Sequence, residues 1–173
     1  MKLLTTIISR LGVGLAILVV VLAALYLWSC NPFKLGAPSD QELVALFRDH
    51  REAFDRLRTM GIEDAQAISY VSEDSLKQSS LTQARRDEYT RLLSGIRRDL
   101  VMGVDANAVS FSYWGGGVGL AIARSWKKGI AYLPNGPKKV GVIVSSLDKL
   151  PANDGVYLVP VEGNWYLIYV QID

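Results

Sequence analysis

The sequence predicts an α+β fold carried on a membrane: an N-terminal apolar anchor, then two helices packed on an antiparallel sheet. Three observations lead there. Leu11 to Trp28 holds no charged side chain, whereas the remainder mixes apolar and charged residues in the ordinary way. Apolar positions next recur at helical spacing as far as Ile96. From Asp99 onward they recur at every second residue, between short turns. Helices first and strands afterwards favour an antiparallel sheet backed by helices on one side. A chain of 173 residues suffices for one such domain and is short for two. The expected division is an anchor or signal over residues 1–30, a tether over 31–38 and an α+β domain over 39–173.

The 18 residues from Leu11 to Trp28 would span about 27 Å as a helix, close to a hydrocarbon core of about 30 Å. Lys2 and Arg10 precede the run, so the positive-inside bias leaves the N-terminus in the cytoplasm and the domain on the periplasmic side. Tyr26 and Trp28 fall at its outer end, where amphipathic rings favour the interface. The run closes on Leu27-Trp28-Ser29-Cys30, and Cys30 is the only cysteine. This resembles a lipobox, which implies lipid attachment at Cys30. Trp28 is bulkier than that signal favours, and the apolar run is long for a signal core. An uncleaved single-pass anchor therefore stays open beside a lipid-anchored form. Both place the domain on the same side. A lone cysteine also rules out an intramolecular disulfide, so packing alone must hold the domain.

Lys2 and Arg10 account for the formal charge of +2; beyond Cys30 the basic and acidic residues balance. A neutral domain offers no electrostatic footprint for nucleic acid. The doublets Arg85-Arg86, Arg97-Arg98, Lys127-Lys128 and Lys138-Lys139 read as solvated surface.

Ser39 and Glu42 form a capping box for the first helix, whose apolar stripe runs through Leu43, Leu46, Phe47, His50, Phe54, Leu57 and Met60 to a stop at Gly61. Ala67 to Val71 is expected to be a strand. A second helix is expected over Thr82 to Ser94, opened by Ser80 and Gln83 and closed by Gly95. Strands follow at Leu100–Met102, Val109–Tyr113, Val118–Ala123, Ile130–Leu133, Val140–Val144, Val156–Val161 and Trp165–Ile172. Gly115-Gly116-Gly117 reads as a turn, and Glu162-Gly163-Asn164 as the turn of a terminal hairpin.

Chemical motifs are few. The glycine run precedes a strand rather than a helix N-terminus and has no Lys-Ser/Thr pair, so it lacks the geometry of a phosphate cradle. His50, the only histidine, lies in an apolar stripe and reads as a packed residue. With one histidine and one cysteine, a zinc site built on those residues is excluded. Glu63-Asp64 and Glu73-Asp74 lack calcium-loop spacing. No Gly-x-Ser-x-Gly elbow exists. The expectation is therefore no catalytic residue, no metal and no cofactor. Trp114 and Trp126 are expected beside loops, with Lys127 next to Trp126. Loop aromatics next to cations suit a partner surface, although partial core burial is the plainer reading.

The stretch Glu42-Leu43-Val44-Ala45-Leu46-Phe47-Arg48-Asp49-His50-Arg51, with Phe54 and Leu57, joins Lys128-Gly129-Ile130-Ala131-Tyr132, Ser146-Leu147-Asp148 and Gly163-Asn164-Trp165-Tyr166-Leu167. Together they resemble small membrane-anchored lipoproteins of the bacterial envelope, a family of unknown function. The resemblance implies envelope placement and no particular activity. Some envelope proteins of this style neutralise an antibacterial toxin, so the expected function is a membrane-tethered, non-enzymatic module that binds an envelope protein, inhibitor- or immunity-like. The alternatives are an envelope enzyme acting on glycan or peptide and a structural assembly factor.

Overall fold

The structure is a computed structural model that describes residues 19–21, 37–97, 99–105, 108–116, 125–138, 140–150 and 154–172. Apart from the helical residues 19–21, the run from Leu11 to Trp28 expected to be an anchor lies outside the described residues, as does Cys30. Among the described residues no helix is long and apolar enough to cross a membrane.

Helix α1 (Asp40–Asp49) opens where the sequence places it. The Ser39 hydroxyl accepts from the Glu42 N–H at 3.2 Å, and Glu42 accepts from the Ser39 N–H at 2.6 Å. The single long helix expected from there is instead broken at His50, which adopts φ −118° and ψ 24° before α2 (Arg51–Glu63) resumes. Its N–H still bonds to Leu46 O, and Phe54 N–H bonds to His50 O, so the break is a bend and not an interruption. Phe47 and Phe54, on either side of the bend, are both buried, and His50 is half-buried. Gly61 does not stop the helix. It lies inside α2, where a Cβ would meet Met102 Cε at 2.6 Å, so glycine serves close approach to the sheet.

Strand β1 is only Tyr70–Val71, because Ala67 and Ile68 turn back to bond Asp64 O. A short helix, α3 (Glu73–Gln78), follows with its own Ser72/Ser75 box. Helix α4 (Gln83–Ile96) is capped by Thr82, not Ser80, and runs through Gly95. Six further strands complete the sheet: β2 (Val101–Asp105), β3 (Ala108–Gly116), β4 (Ser125–Tyr132), β5 (Val142–Ile143), β6 (Gly155–Glu162) and β7 (Trp165–Ile172). Gly115 and Gly116 belong to β3, paired with Trp126 and Ser125, so the strand continues through glycines expected to turn. The segment Val118–Ala123 lies outside the described residues.

The order is β1-β2-β3-β4-β7-β6-β5, antiparallel throughout except that β5 runs parallel to β6. The fold is thus α+β with a mostly antiparallel seven-stranded sheet, and among the described residues beyond 37 four helical segments stand where two were expected. Period-two alternation assigns the faces. Phe111, Ile130, Trp165 and Leu167 point to the helices and meet Phe47, Phe54 and Leu57 in one core. Phe54 packs edge-on against Phe111 at 4.9 Å, and Phe47 lies 5.0 Å from Trp165. The opposite face carries a smaller cluster of Ala131, Leu133, Leu158, Tyr166 and Ile168.

Candidate functional site

Two concave places stand out. The larger is a groove of about 770 Å³ between α4, α3 and the start of β2. One face of α4 forms its wall, since Arg86, Thr90, Leu93 and Arg97 recur at three and four residues. Val71, Leu76 and Leu100, all buried, supply an apolar floor beside half-buried Leu93. The rim is charged. Arg97 Nε bonds Asp99 at 2.8 Å, while its guanidinium lies 4.8 Å over the Tyr113 ring. Arg86 donates to Gln83 Oε1 at 2.9 Å and, more weakly, to Ser79 O at 3.5 Å. Behind the wall, Arg85 reaches Glu63 at 2.6 Å and Asp64 at 2.7 Å, and Asp64 also accepts from the Tyr89 hydroxyl at 2.9 Å. Burial and that bond push the Tyr89 hydroxyl far up. This network pins α4 to the end of α2 and so holds the groove wall still.

The smaller place is a cleft of about 180 Å³ between the start of α1, the 146–148 turn and strands β4 and β7. Its base is Lys128, a charged residue only 4 % exposed on the helix-facing side of β4. Burying an ammonium is tolerable only with compensation. Here Nζ lies 2.6 Å from Asp148 Oδ1 and 2.9 Å from Asp40 Oδ1. The Asp40 contact is an ion pair without hydrogen-bond alignment, since that oxygen lacks an aligned donor. The other Asp40 oxygen accepts from Ser146 Oγ and the Leu147 N–H, both at 2.8 Å. The Asp40 N–H in turn donates to Asp148 at 3.1 Å. One cluster thereby clasps the first helix, the 146–148 turn and the middle of the sheet.

Burial alone would raise the Asp40 carboxyl, but Lys128, Ser146 and the Leu147 N–H outweigh it and hold the carboxyl below its ordinary 3.8. Folding therefore favours the ionised form. That stabilisation is complete above 3.8 and is lost as pH falls through the lowered folded value. We expect Asp40→Asn to be less stable than the parent at pH 7. The gap should shrink as the pH drops below 3.8, in urea titrations followed by tryptophan fluorescence. A gap constant down to pH 2 would dismiss the carboxylate's role.

Chemically the cluster is occupied with itself. A lysine acts as nucleophile or base only with its lone pair available, and Nζ here faces two carboxylates. Trp126 roofs the site but is 6 % exposed and stacked on Tyr169, with centroids 6.4 Å apart and planes 15° apart. Tyr169, pushed by burial to about 12, donates to Gln171 Oε1 at 3.2 Å.

The sequence-based candidates part company. Trp126 was expected at a loop and instead lies within β4, buried on the helix-facing side. The reason is that β4 begins at Ser125, five residues before the expected start, with Lys128 disguising the apolar alternation of Trp126 and Ile130. Lys127 is half-buried on the opposite face, and the backbone of Trp114 pairs with it in register. Trp114 and Lys127 are thus backbone partners across β3 and β4, and Trp126, paired with Gly115, belongs to the helix-facing core. Cys30, the lipid-attachment candidate, lies outside the described residues.

Neither the groove nor the clasp was legible in advance. The available signal was a lysine at an inward position of a strand pattern, together with Lys128-Gly129 and Ser146-Leu147-Asp148, which the fold brings to one spot. Among the described residues no group of histidine, cysteine or carboxylate side chains could hold a metal ion. Comparison with protein-family models, curated proteins and solved structures found no match.

Proposed function

We propose that the chain is a membrane-tethered, non-enzymatic binding module of the bacterial envelope. Its domain faces the periplasm and takes a protein partner in the groove beside α4, in the manner of an inhibitor or immunity protein. The supporting observation is the anatomy of that groove. An apolar floor of Val71, Leu76 and Leu100 lies inside a rim of Arg86, Asp87, Arg97 and Asp99. An apolar centre within a polar rim is how protein interfaces are built. The anchor reading rests on Leu11 to Trp28 with Lys2 and Arg10 before it, and on Cys30 behind it. Tethering raises the local concentration of the groove where an envelope partner arrives.

Site-specific photo-crosslinking in intact cells tests this. A photoreactive residue in place of exposed Thr90, on the groove wall, should give a discrete adduct. The same probe in place of Arg48, exposed on α1, should not. Deleting residues 1–29 should abolish the Thr90 adduct by releasing the domain. No adduct at Thr90, or the same adducts at both positions, would end the groove assignment. An undiminished adduct without residues 1–29 would end the role of the tether.

A further inference from the structure

The charge on the groove wall is unevenly settled. Arg97 is satisfied by Asp99 at 2.8 Å. Arg85, on the neighbouring turn position, has Glu63, Asp64 and Glu88 around it. Arg86 is different. Among the described residues its guanidinium meets only uncharged acceptors, Gln83 Oε1 at 2.9 Å and Ser79 O at 3.5 Å. Those two bonds orient the guanidinium without neutralising it. A guanidinium without a carboxylate partner at the edge of an apolar floor is suited to a planar carboxylate, through paired charge-assisted hydrogen bonds.

Resting on the groove reading above, we propose that the groove takes an extended acidic segment of a partner protein, with a carboxylate on Arg86 and an apolar side chain on Leu93 and Leu100. Geometry sets the spacing. Arg86 and Leu93 are seven residues apart on α4, about 10 Å along the helix axis. An extended strand covers that distance in about three residues. The segment therefore carries its Asp or Glu about three positions from its apolar anchor. A protein segment fits better than a fatty acid. Besides the apolar floor, the lining holds the Thr90 and Ser94 hydroxyls and the Asp87 carboxylate. The two hydroxyls donate to Arg86 O and Arg91 O, and Asp87 accepts from Gln83, but their remaining lone pairs can accept from peptide N–H groups, whereas an acyl chain would desolvate those lone pairs without replacement.

The test uses the full chain in detergent micelles and two fluorescein-labelled nine-residue peptides of otherwise identical sequence. One has Glu three residues before a Leu, and the other has Lys in place of that Glu. Fluorescence anisotropy should show saturable binding of the Glu peptide and at least tenfold weaker binding of the Lys peptide. Arg86→Glu should reverse the preference. Arg86→Gln should erase it, with thermal unfolding of both variants close to that of the parent. Equal affinity for the two peptides, or a preference unchanged in Arg86→Glu, overturns the proposal. So does displacement of the Glu peptide by one equivalent of oleate, which would make an anionic amphiphile the occupant. A groove adduct at Thr90 combined with no charge preference leaves the binding module standing and removes only the acidic segment. Loss of both removes the module as well.

Discussion

Lys128→Met should lower the unfolding free energy by about 3 kcal/mol, the low end of the range for breaking a buried ion pair. The low end applies because Asp148 keeps 41 % of its side chain in solvent while Asp40 keeps only 15 %. The cost comes from Asp40. Without the ammonium its carboxylate remains beside Asp148 at the start of α1, with only Ser146 and the Leu147 N–H donating to it. The triple variant carrying Asp40→Asn and Asp148→Asn as well should recover a large share, since neutral amides tolerate each other where two carboxylates repel. Urea unfolding of the parent, Lys128→Met, the paired Asp40→Asn/Asp148→Asn variant and the triple variant measures the coupling. If the triple variant is as damaged as the sum of its parts, the cluster is not an electrostatic unit. Lysine would then serve there only through its hydrocarbon stem.

The next residue carries the other large effect. Gly129→Ala should abolish folding or cost more than about 4 kcal/mol, a size reserved for named steric or burial faults. A Cβ at Gly129 would press on Phe111 O and lie 2.7 Å from Ser112 Cα, both backbone atoms of the paired strand. Strand β3 has no flexible side-chain end to yield there, so relief requires prising β3 from β4 at the centre of the sheet. Gly136→Ala is the contrast, because nothing lies within 4 Å of a Cβ at that loop position. Its φ of 73° still disfavours a side chain, at about 1 kcal/mol. Circular dichroism and thermal melts of the two variants should separate them clearly. A soluble, cooperatively melting Gly129→Ala protein would show that the strands are less tightly joined than the structure has them.

Adjacent residues with such different expectations show where sequence reading stops. The start of the first helix is local. A serine oxygen three residues from a backbone N–H is close enough to find it whatever the rest of the chain does, as at Ser39. The terminal hairpin is local too, and Gly163 turns it at φ 55°. The shift from helical to alternating periodicity foretold the α+β class, with a sheet that is antiparallel except where β5 joins β6. The bend at His50, the passage of α2 through Gly61 and of α4 through Gly95, and the start of β4 at Ser125 were not local. Gly61 marks close approach and not termination, because Met102 and Val104 occupy the space a side chain would need. Nothing within the helix itself records that neighbour. Lys128 looked like half of a surface doublet because its two carboxylates stand at Asp40 and Asp148, far away along the chain.

The fold class and the two-sided pattern of the strands follow from amino-acid order alone, since periodicity and capping act over a few residues. The long uncharged run with its basic flank is likewise a property of amino-acid order, and it supplies the anchor proposal. Which face Trp126 serves, which arginine on the groove wall lacks a carboxylate among the described residues and where a concave surface opens depend on contacts between distant segments. Those contacts exist only once β4 lies between β3 and β7 with α1 fastened across it, because charge compensation and steric approach are set by distance in space.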